Sequence, residues 1–328
     1  MRGGGAVVGA PGWRARVLAA GACGVLAGVV TGVATPGPLG PGPAGPGPVA
    51  PGLAALAPAE GLATAHVPGG RPRLVLSAVT LVQGQVLRVR VLDGGSIPPA
   101  LEVGGRRVPM HRRGDAYQAF VGTSPLMPPG VLVVRVRLQR SGQTTLVGTV
   151  RVRAGTFGVR RLQVPPQLLD PALVAEERRK IAQATAHPLP TPQWDGPFRL
   201  PVDGPVVSNY GVRSVYNEVP AGYHLGVDFR VDEGTPVMAA QRGLVTLAEP
   251  LPLGGQTVVV DHGAGVFTTY LHLSAIATAA GRWVRAGDRV GKVGSTGLST
   301  GPHLHWGVRV HGVLVDPLQW TGSPIVAP

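Results

Sequence analysis

The sequence predicts an all-β protein of two β-sheet units joined by a short helical connector. Short apolar segments that alternate with polar residues recur along residues 70–155 and again from residue 197 onward. Glycine and proline separate these segments, with 50 and 34 residues respectively among 328. Helical periodicity is confined to one stretch between the two units. A chain of this length is expected to hold about two domains.

Residues 1–34 predict an export signal. Arg2, Arg14 and Arg16 precede an apolar stretch over residues 17–34 that ends in small residues suited to cleavage. A retained membrane anchor is the alternative, because the apolar stretch is 18 residues long. Either way, we expect the rest of the chain in the periplasm, the cell envelope or the extracellular space. Cys23 is the single cysteine, so the sequence contains no disulfide framework.

Residues 35–69 are predicted to be a Pro/Gly-rich tether, and residues 70–155 a β-sandwich of the Ig-like type. The sandwich shows no catalytic constellation, which favours a spacer or binding role. Its predicted strands are Leu74–Val79, Val86–Leu92, Ala100–Val103, Tyr117–Val121, Val131–Leu138 and Thr145–Val152.

The connector, residues 156–196, contains the predicted helix. Asp170 is a good N-cap, and Pro171 suits the first helical position. Glu177 and the acidic residue before it precede a basic run, in the order that the helix dipole favours. The helix is expected to end before Pro188.

Residues 197–322 form the second predicted unit, followed by a tail over residues 323–328. Its segments are again strand-like and separated by glycines. The predicted strands are Val206–Tyr210, Gly226–Val231, Pro236–Ala240, Gly243–Ala248, Thr257–His262, Val266–Leu271, Arg289–Val293 and Leu304–Val310.

The net charge of +13 comes almost entirely from arginine. These arginines mostly alternate with apolar residues along predicted strands, which is typical of solvent-exposed sheet faces. No basic cluster interleaved with aromatic residues is present, so nucleic acid is not expected as a partner. Attraction to an anionic cell wall or membrane surface is compatible with the charge. The sequence does not set an oligomeric state.

Two histidines in the stretch Gly301–Trp306 first indicate chemistry. His303 and His305 are two residues apart in a strand-like run, so their side chains share a face about 6–7 Å apart. Upstream, His224 and Asp228 supply a histidine and a carboxylate. Zinc in hydrolases usually takes three protein ligands and a water, so His224, Asp228 and His305 are the predicted ligands.

His272 and His303 then remain as imidazoles that act on water and substrate. A neutral histidine accepts a proton near neutral pH, and a second one stabilises developing charge or the leaving amine. The sequence does not decide which histidine plays which part.

The chain resembles the lysostaphin/LytM-type zinc endopeptidases of metallopeptidase family 23, from about Phe198 to Trp320. The motifs that carry the resemblance are Asn209-Tyr210-Gly211-Val212-Arg213, Tyr223-His224-Leu225-Gly226-Val227-Asp228-Phe229, Gly234-Thr235-Pro236-Val237, Val260-Asp261-His262-Gly263, Tyr270-Leu271-His272-Leu273 and Gly294-Ser295-Thr296-Gly297-Leu298-Ser299-Thr300-Gly301-Pro302-His303-Leu304-His305.

The resemblance implies a C-terminal antiparallel sheet domain of the duplicated hybrid motif type. It implies one zinc ion (Zn2+) per chain on His224, Asp228 and His305, with His272 and His303 as the catalytic histidines. The implied substrate is a peptide of peptidoglycan, which the enzyme hydrolyses in cell-wall remodelling or lysis. An all-β module also precedes the peptidase in exported members of the family.

Asn209 and Tyr270 are the two candidate substrate contacts, although the sequence favours core packing over a substrate contact for Tyr270. Tyr210 replaces the phenylalanine that the family often has, which we expect to be harmless. His262, at the end of a predicted strand, is expected to be structural. His311 is expected to be exposed in a hairpin turn.

Two other functions compete with the peptidase. A cell-wall module without catalysis that activates a partner hydrolase would be expected to have lost ligands, whereas all five positions are filled here. The stretch Val284–Gly291 resembles hybrid β-folds of biotinyl and phosphotransferase proteins. A phosphocarrier histidine works in the cytoplasm, so the export signal and the ligand set argue against that function.

Overall fold

The structure is a computed structural model that describes residues 72–140, 142–163 and 170–322. The predicted signal or anchor, the tether and the C-terminal tail lie outside these residues. Within the described ranges, no helix has the length and apolar character needed to cross a membrane.

The first unit consists of strands of three to twelve residues, in most of which apolar residues alternate with polar ones. They are β1 (Arg73–Leu76), β2 (Thr80–Val82), β3 (Val86–Leu92), β4 (Ala100–Val103), β5 (Arg106–Val108), β6 (His111–Arg113), β7 (Ala116–Gly122), β8 (Gly130–Arg140) and β9 (Gly142–Arg153). One sheet has the order β1-β3-β7-β6 and the other β2-β9-β8-β4-β5. Strand β2 runs parallel to β9, and the other pairs are antiparallel.

The two sheets enclose one hydrophobic core, so this unit is a β-sandwich. Val89 and Val91 of β3 face inward, as do Val134 and Val136 of β8, and all four are fully buried. Their period of two is what a half-buried strand requires, because successive side chains point to opposite faces.

The connector contains one α-helix in the described residues, α1 (Pro171–Ala184). The carboxylate of Asp170 accepts a hydrogen bond of 2.8 Å from the backbone N–H of Ala172, as the predicted N-cap should. Ile181 packs with Val259 and Phe267 on the outer face of the second unit's sheet. The helix is thereby seated on that sheet.

The second unit contains the remaining strands. They are β10 (Val159–Leu162), β11 (Val206–Ser208), β12 (Arg213–Tyr216), β13 (Val219–Tyr223), β14 (Val227–Phe229), β15 (Pro236–Met238), β16 (Gly243–Leu251), β17 (Gly255–Asp261), β18 (Val266–Leu273), β19 (Ala275–Ile276), β20 (Trp283–Val284), β21 (Arg289–Lys292), β22 (Leu304–Val310) and β23 (Val313–Val315), followed by a 3-10 helix (Pro317–Trp320). The main sheet has the order β11-β14-β22-β18-β17-β16-β20, with β23 paired to β22.

Two small sheets flank the main one. Their orders are β15-β21-β19 and β10-β12-β13. Strand β10 runs parallel to β12, so the part of the connector that precedes α1 pairs with the second unit. The strand that carries His305, β22, lies between β14 and β18 in the main sheet. This order places the segments that carry the predicted site residues beside one another.

An aromatic cluster joins the two units. Phe120 of the sandwich lies 5.8 Å from Trp194 and 5.7 Å from Trp320, measured between ring centroids. The side chain of Gln319 accepts a hydrogen bond from Val86 N and donates one to Gly84 O. The contact is therefore both apolar and hydrogen-bonded.

The all-β class is confirmed, and most strands follow the predicted ranges. The predicted bounds of β3, β4 and β22 match the structure residue for residue. The pattern did not indicate the short strands β2, β5 and β6, each of three residues. The domain boundaries drawn from the sequence stay predictions.

Candidate metal centre and active site

The three predicted metal ligands converge at neighbouring strands. Strand β14 pairs antiparallel with β22 in a register that sets Asp228 opposite His305. His224 lies just before β14. Its Nε2, one oxygen of Asp228 and Nδ1 of His305 lie within 4.8 Å of one another, and all three residues are buried. The register of one strand pair thus joins ligands that are far apart in sequence.

The spacing of the donor atoms fits a small metal ion. Oδ1 of Asp228 lies 3.0 Å from Nε2 of His224 and 2.8 Å from Nδ1 of His305. The two nitrogens are 3.1 Å apart. Tetrahedral zinc, with bonds of about 2.0–2.1 Å, sets its ligand atoms about 3.3 Å apart. A shift of a few tenths of an ångström, about what side-chain rotation allows, would admit the ion.

Hydrogen bonds on the far side of its ring fix the tautomer of His224. Nδ1 lies 2.9 Å from the backbone carbonyl oxygen of Asn209 and 3.0 Å from Oγ of Ser208. A carbonyl oxygen only accepts, so Nδ1 carries the hydrogen and donates it. Nε2 therefore keeps its lone pair for a metal, and the carbonyl holds the ring in place.

Charge and burial prepare the cluster for a cation. Burial alone would raise the pKa of Asp228, but His224 and His305 hold that pKa well below its usual range. Burial lowers the pKa of His305, against the opposing effect of Asp228. Ionised carboxylate and neutral imidazole are the forms that bind metal ions.

Gly226 leaves room for the ring of His305. A Cβ at this position would lie 2.5 Å from Nε2 of His305 and 2.7 Å from the carbonyl oxygen of Trp306. Neither contact is tolerable for carbon. The glycine of the His-Leu-Gly-Val-Asp stretch is therefore required by the close approach of the third ligand.

Arg160 approaches the cluster from β10, and nothing in the sequence singled it out. Its Nη1 lies 3.9 Å from Oδ2 of Asp228, the carboxylate oxygen that does not face the two histidines. Nε donates to Oγ of Ser214 at 3.0 Å, and Nη1 donates to Oγ of Ser208 at 3.4 Å. Burial lowers the pKa of Arg160, and Asp228 opposes that change. An arginine remains charged at neutral pH, so it stabilises the carboxylate.

His272 occupies a β-bulge near the end of β18. Val258 pairs with Tyr270 and Gln256 pairs with Leu273, so β18 carries one extra residue here. The φ of His272 is +62°, a value that residues other than glycine rarely adopt. Such strain clusters at functional sites, where the surrounding structure enforces it.

Two hydrogen bonds hold His272 in this conformation. Its backbone N–H donates to the carbonyl oxygen of Gly254 at 2.7 Å, and its Nδ1 donates to that of Thr296 at 2.9 Å. Nε2 consequently carries a lone pair. Burial, followed by the nearby His303 and His305, lowers the pKa of His272 to about 3, so the ring is neutral at neutral pH.

His303 lies beside His272, with ring centroids 4.8 Å apart. Its Nδ1 donates to the carbonyl oxygen of Gly301 at 2.9 Å. Its Nε2 is buried and has no hydrogen-bond partner in the part of the chain that the structure describes. A buried nitrogen without a partner is costly, so this atom is suited to a substrate or water that binds at the site.

The two expected substrate contacts differ in position. Asn209 is exposed at the edge of the site, where its backbone carbonyl holds His224, and a substrate contact by its side chain stays a prediction. Tyr270 is fully buried, and its hydroxyl accepts a hydrogen bond of 2.8 Å from Ala240 N. The expectation that Tyr270 contacts substrate is therefore corrected in favour of the packing alternative.

The two remaining histidines of this unit are structural. His262 is fully buried, as expected, with Nδ1 donating to Arg242 O and Nε2 lying 2.8 Å from Thr268 Oγ1. His311, expected to be exposed, is half-buried, and its carbonyl accepts a hydrogen bond from Arg106 of the sandwich. The hairpin turn at His311 faces the other unit, which the local pattern did not reveal.

Glu177 is a second residue that the sequence did not single out. The sequence indicated it only as an acidic residue that precedes the basic run of the helix, and the structure leaves it 1% exposed. Its Oε2 accepts hydrogen bonds from the backbone N–H groups of Leu253 and Gly254 at 2.6 and 3.0 Å. The signal was its position one turn before the apolar Ile181, on the same helix face.

Known proteins share this site region and most of the fold. Residues 222–317 match the sequence model of peptidase family M23. A crystal structure described as a peptidase of family M23 from Pseudomonas aeruginosa is 30% identical, with a TM-score of 0.57, and covers 74% of this chain and 95% of that one. The chain belongs to peptidase family M23. The M23 match contains all five predicted metal and catalytic residues, whereas Arg160 and Glu177 precede it.

Curated relatives match the M23 segment alone or a little more. Over 96 residues the chain is 45% identical to the DD-carboxypeptidase/endopeptidase Mpg of Neisseria meningitidis, covering 29% of this chain and 22% of that protein. Over 124 residues it is 38% identical to the peptidoglycan DD-endopeptidase ShyA of Vibrio cholerae, covering 37% of this chain and 29% of that protein. The chain thus spans less than a third of the length of these curated relatives.

Proposed function

We propose that this M23 protein is an exported zinc metalloendopeptidase that hydrolyses peptide bonds of peptidoglycan stem peptides or cross-links. One observation carries the proposal. A buried cluster of two histidines and a carboxylate lies beside two further histidines that the metal does not need. This combination supplies both a Lewis acid site and proton-transfer groups.

His224, Asp228 and His305 are the proposed zinc ligands. Their donor atoms match the ligand types and the spacing of a zinc site with three protein ligands. Zinc held there supplies Lewis-acid polarisation of a peptide carbonyl and of water. Arg160 keeps the carboxylate of Asp228 oriented, and the backbone carbonyl of Asn209 keeps the imidazole of His224 oriented.

His272 and His303 are the proposed catalytic histidines. Both donate Nδ1–H to a backbone carbonyl, so Nε2 of each ring carries a free lone pair. One accepts a proton from the attacking water, and the other donates a hydrogen bond, once protonated, to developing charge or the leaving amine. Their order in these steps stays open.

Peptidoglycan is the proposed substrate because the two relatives described above are named for DD-peptidase activity. Cross-links between D-residues are accordingly the first substrates to test. Such a substrate lies outside the cytoplasm, in agreement with the export signal predicted over residues 1–34. The alternative of an activator without catalysis is not favoured, since no ligand or catalytic position is lost.

The decisive experiment follows peptide cleavage in isolated peptidoglycan. Purified protein is incubated with it, and mass spectrometry identifies the released muropeptides. New free amines from a defined peptide bond are expected with the wild type. His305→Ala should lose both zinc and cleavage, whereas His272→Ala should keep zinc and lose cleavage. Cleavage that is undiminished in His305→Ala would overturn the proposal.

The same variants separate the activator function from the peptidase. A separate murein amidase is assayed with and without the wild-type protein and with His272→Ala. Equal stimulation by both proteins, without peptide cleavage by either, would favour the activator.

A further inference from the structure

Glu177 links the connector helix to the candidate active site. The helix α1 lies before the stretch that matches family M23, on the outer face of the main sheet. Glu177 is buried under it, one turn before Ile181. A buried carboxylate needs hydrogen bonds to offset its lost hydration.

Those hydrogen bonds come from the turn between β16 and β17. Oε2 of Glu177 accepts the backbone N–H groups of Leu253 and Gly254, at 2.6 and 3.0 Å. The carbonyl oxygen of Gly254 in turn accepts the backbone N–H of His272 at 2.7 Å. One residue of the turn therefore lies between the carboxylate and the strained backbone of His272.

The same turn also supports the imidazole ring. The backbone N–H of Leu298 donates to the carbonyl oxygen of Leu253 at 2.8 Å. Thr296, two residues earlier, supplies the carbonyl that accepts the ring Nδ1–H of His272. A Cβ on Gly255 would lie 2.4 Å from the carbonyl carbon of Thr296, so the two loops are closely packed. The turn thus fixes both the backbone and the ring of His272.

We propose that Glu177 is a positioning residue for the catalytic histidine. By holding the N–H groups of Leu253 and Gly254, it sets the carbonyl that maintains His272 at positive φ. This inference rests on the proposed function, because it takes His272 to be catalytic. It makes the connector helix part of the active enzyme rather than a spacer.

Seating the helix does not require a buried carboxylate. Ile181 already packs against the sheet, and Nζ of Lys180 lies 3.0 Å from Oε1 of Glu249. Burial raises the pKa of Glu177, which the two backbone hydrogen bonds partly offset. An apolar side chain would seat the helix without that desolvation cost. The carboxylate is therefore better explained by the turn that it holds.

The test compares Glu177→Ala and Glu177→Gln with Ile181→Ala in the full chain. Glutamine keeps an acceptor oxygen at the same distance along the side chain. Ile181→Ala weakens the packing of α1 on the sheet but leaves the contacts of the β16–β17 turn unchanged. We expect kcat on a soluble cross-linked muropeptide to fall roughly 10–100-fold in Glu177→Ala, with KM nearly unchanged. Glu177→Gln should recover most of kcat, and Ile181→Ala should lower stability but not kcat.

Amide hydrogen exchange supplies a readout that does not depend on catalysis. Protection of the backbone N–H of His272 should fall about tenfold or more in Glu177→Ala, but not in Ile181→Ala. If Glu177→Ala does not fold, Glu177→Asp serves in its place, because its shorter side chain does not reach both N–H groups.

Unchanged protection at His272 together with unchanged kcat in a folded Glu177→Ala would overturn the inference. A wild type that hydrolyses no muropeptide would instead contradict the proposed function, and the exchange result would still decide the role of Glu177. The two failures are therefore distinguishable.

Discussion

Nε2 of His224 and Nδ1 of His305 face each other at 3.1 Å across 81 positions of sequence. Both also contact the same oxygen of Asp228. Since the hydrogen of His224 is on Nδ1, the three facing atoms share at most the single hydrogen of a neutral His305. A cation at this position would satisfy all three lone pairs, with the hydrogen of a neutral His305 carried on its Nε2 instead.

Gly226→Ala should disrupt the metal site through the ring of His305. The new Cβ would lie 2.5 Å from Nε2 of His305, so the ring or β14 must move. We expect the free energy of unfolding to fall by about 1–3 kcal/mol and zinc affinity to fall with it. Gly158→Ala is the control, because nothing lies within 4 Å of its Cβ. Equal zinc affinity in the two variants, by calorimetric titration, would contradict this role of Gly226.

Arg160→Ala should weaken zinc binding although Arg160 is not a ligand. The guanidinium stabilises the ionised Asp228 and hydrogen-bonds Ser208, which contacts His224. We expect the zinc dissociation constant to rise roughly 10–100-fold. Arg161→Ala is a matched control, since that neighbouring arginine is exposed and pairs with Glu218 at the surface. The prediction fails if the two variants bind zinc equally well.

His272→Ala and His303→Ala should keep zinc and lose catalysis. Neither ring contributes to the ligand cluster, so metal content should match the wild type. Loss of a general acid or base should lower kcat by roughly 100–10,000-fold. Elemental analysis and muropeptide hydrolysis are measured on the same samples. Loss of zinc in either variant would show that the ring helps to bind the metal.

Stability should fall on acidification because His262 is buried in its neutral form. Burial lowers its pKa from 6.5 to about 4 in the folded state, despite the hydrogen bond to Arg242 O. Between these pH values the unfolded chain binds the proton and the folded chain does not. The free energy of unfolding therefore falls as pH decreases from about 6.5 to 4, by about 3 kcal/mol for this residue.

His262→Gln provides the test of that pH dependence. The variant should be less stable near pH 7, where it loses ring packing, but its stability should vary less with pH. Denaturant unfolding at pH 7, 6 and 5 gives the slope of the free energy of unfolding against pH for the wild type and for the variant. Because His111 and His311 also have pKa values lowered to about 4, part of the slope should persist. Parallel pH profiles for the two proteins would refute the assignment.

Much of the fold follows from local patterns in the sequence. Alternation predicts β3 and β22 because each has one side or both sides packed on apolar neighbours. It does not reveal β5, whose three residues include two arginines, because pairing with β4 rather than burial makes it a strand. Asp170 and Pro171 predict the helix start since capping is a local interaction.

The candidate site likewise contains residues that local patterns predict and residues that they do not. The metal and catalytic residues lie in local motifs, so the sequence indicated them together. Tyr270 and His272 would share a face in a regular strand. The bulge and the positive φ at His272 break that alternation, and Tyr270 points into the core.

The sequence does not assign Arg160 or Glu177 to the site. Each reaches the site from a segment outside the family match, through packing between distant parts of the chain. Local pattern can place Glu177 on the apolar face of its helix, but it does not show which distant groups a side chain contacts. These contacts depend on the register of β10 with β12 and on the packing of α1 against the sheet.

The most direct test of the metal site is zinc titration of chelator-stripped protein, followed by peptide cleavage in peptidoglycan. We expect no cleavage by the stripped protein. Cleavage should return in proportion to bound zinc and reach a plateau at one ion per chain. Full cleavage by the stripped protein, or a plateau that Asp228→Ala reaches equally well, would contradict the assignment of His224, Asp228 and His305 as a catalytic zinc site.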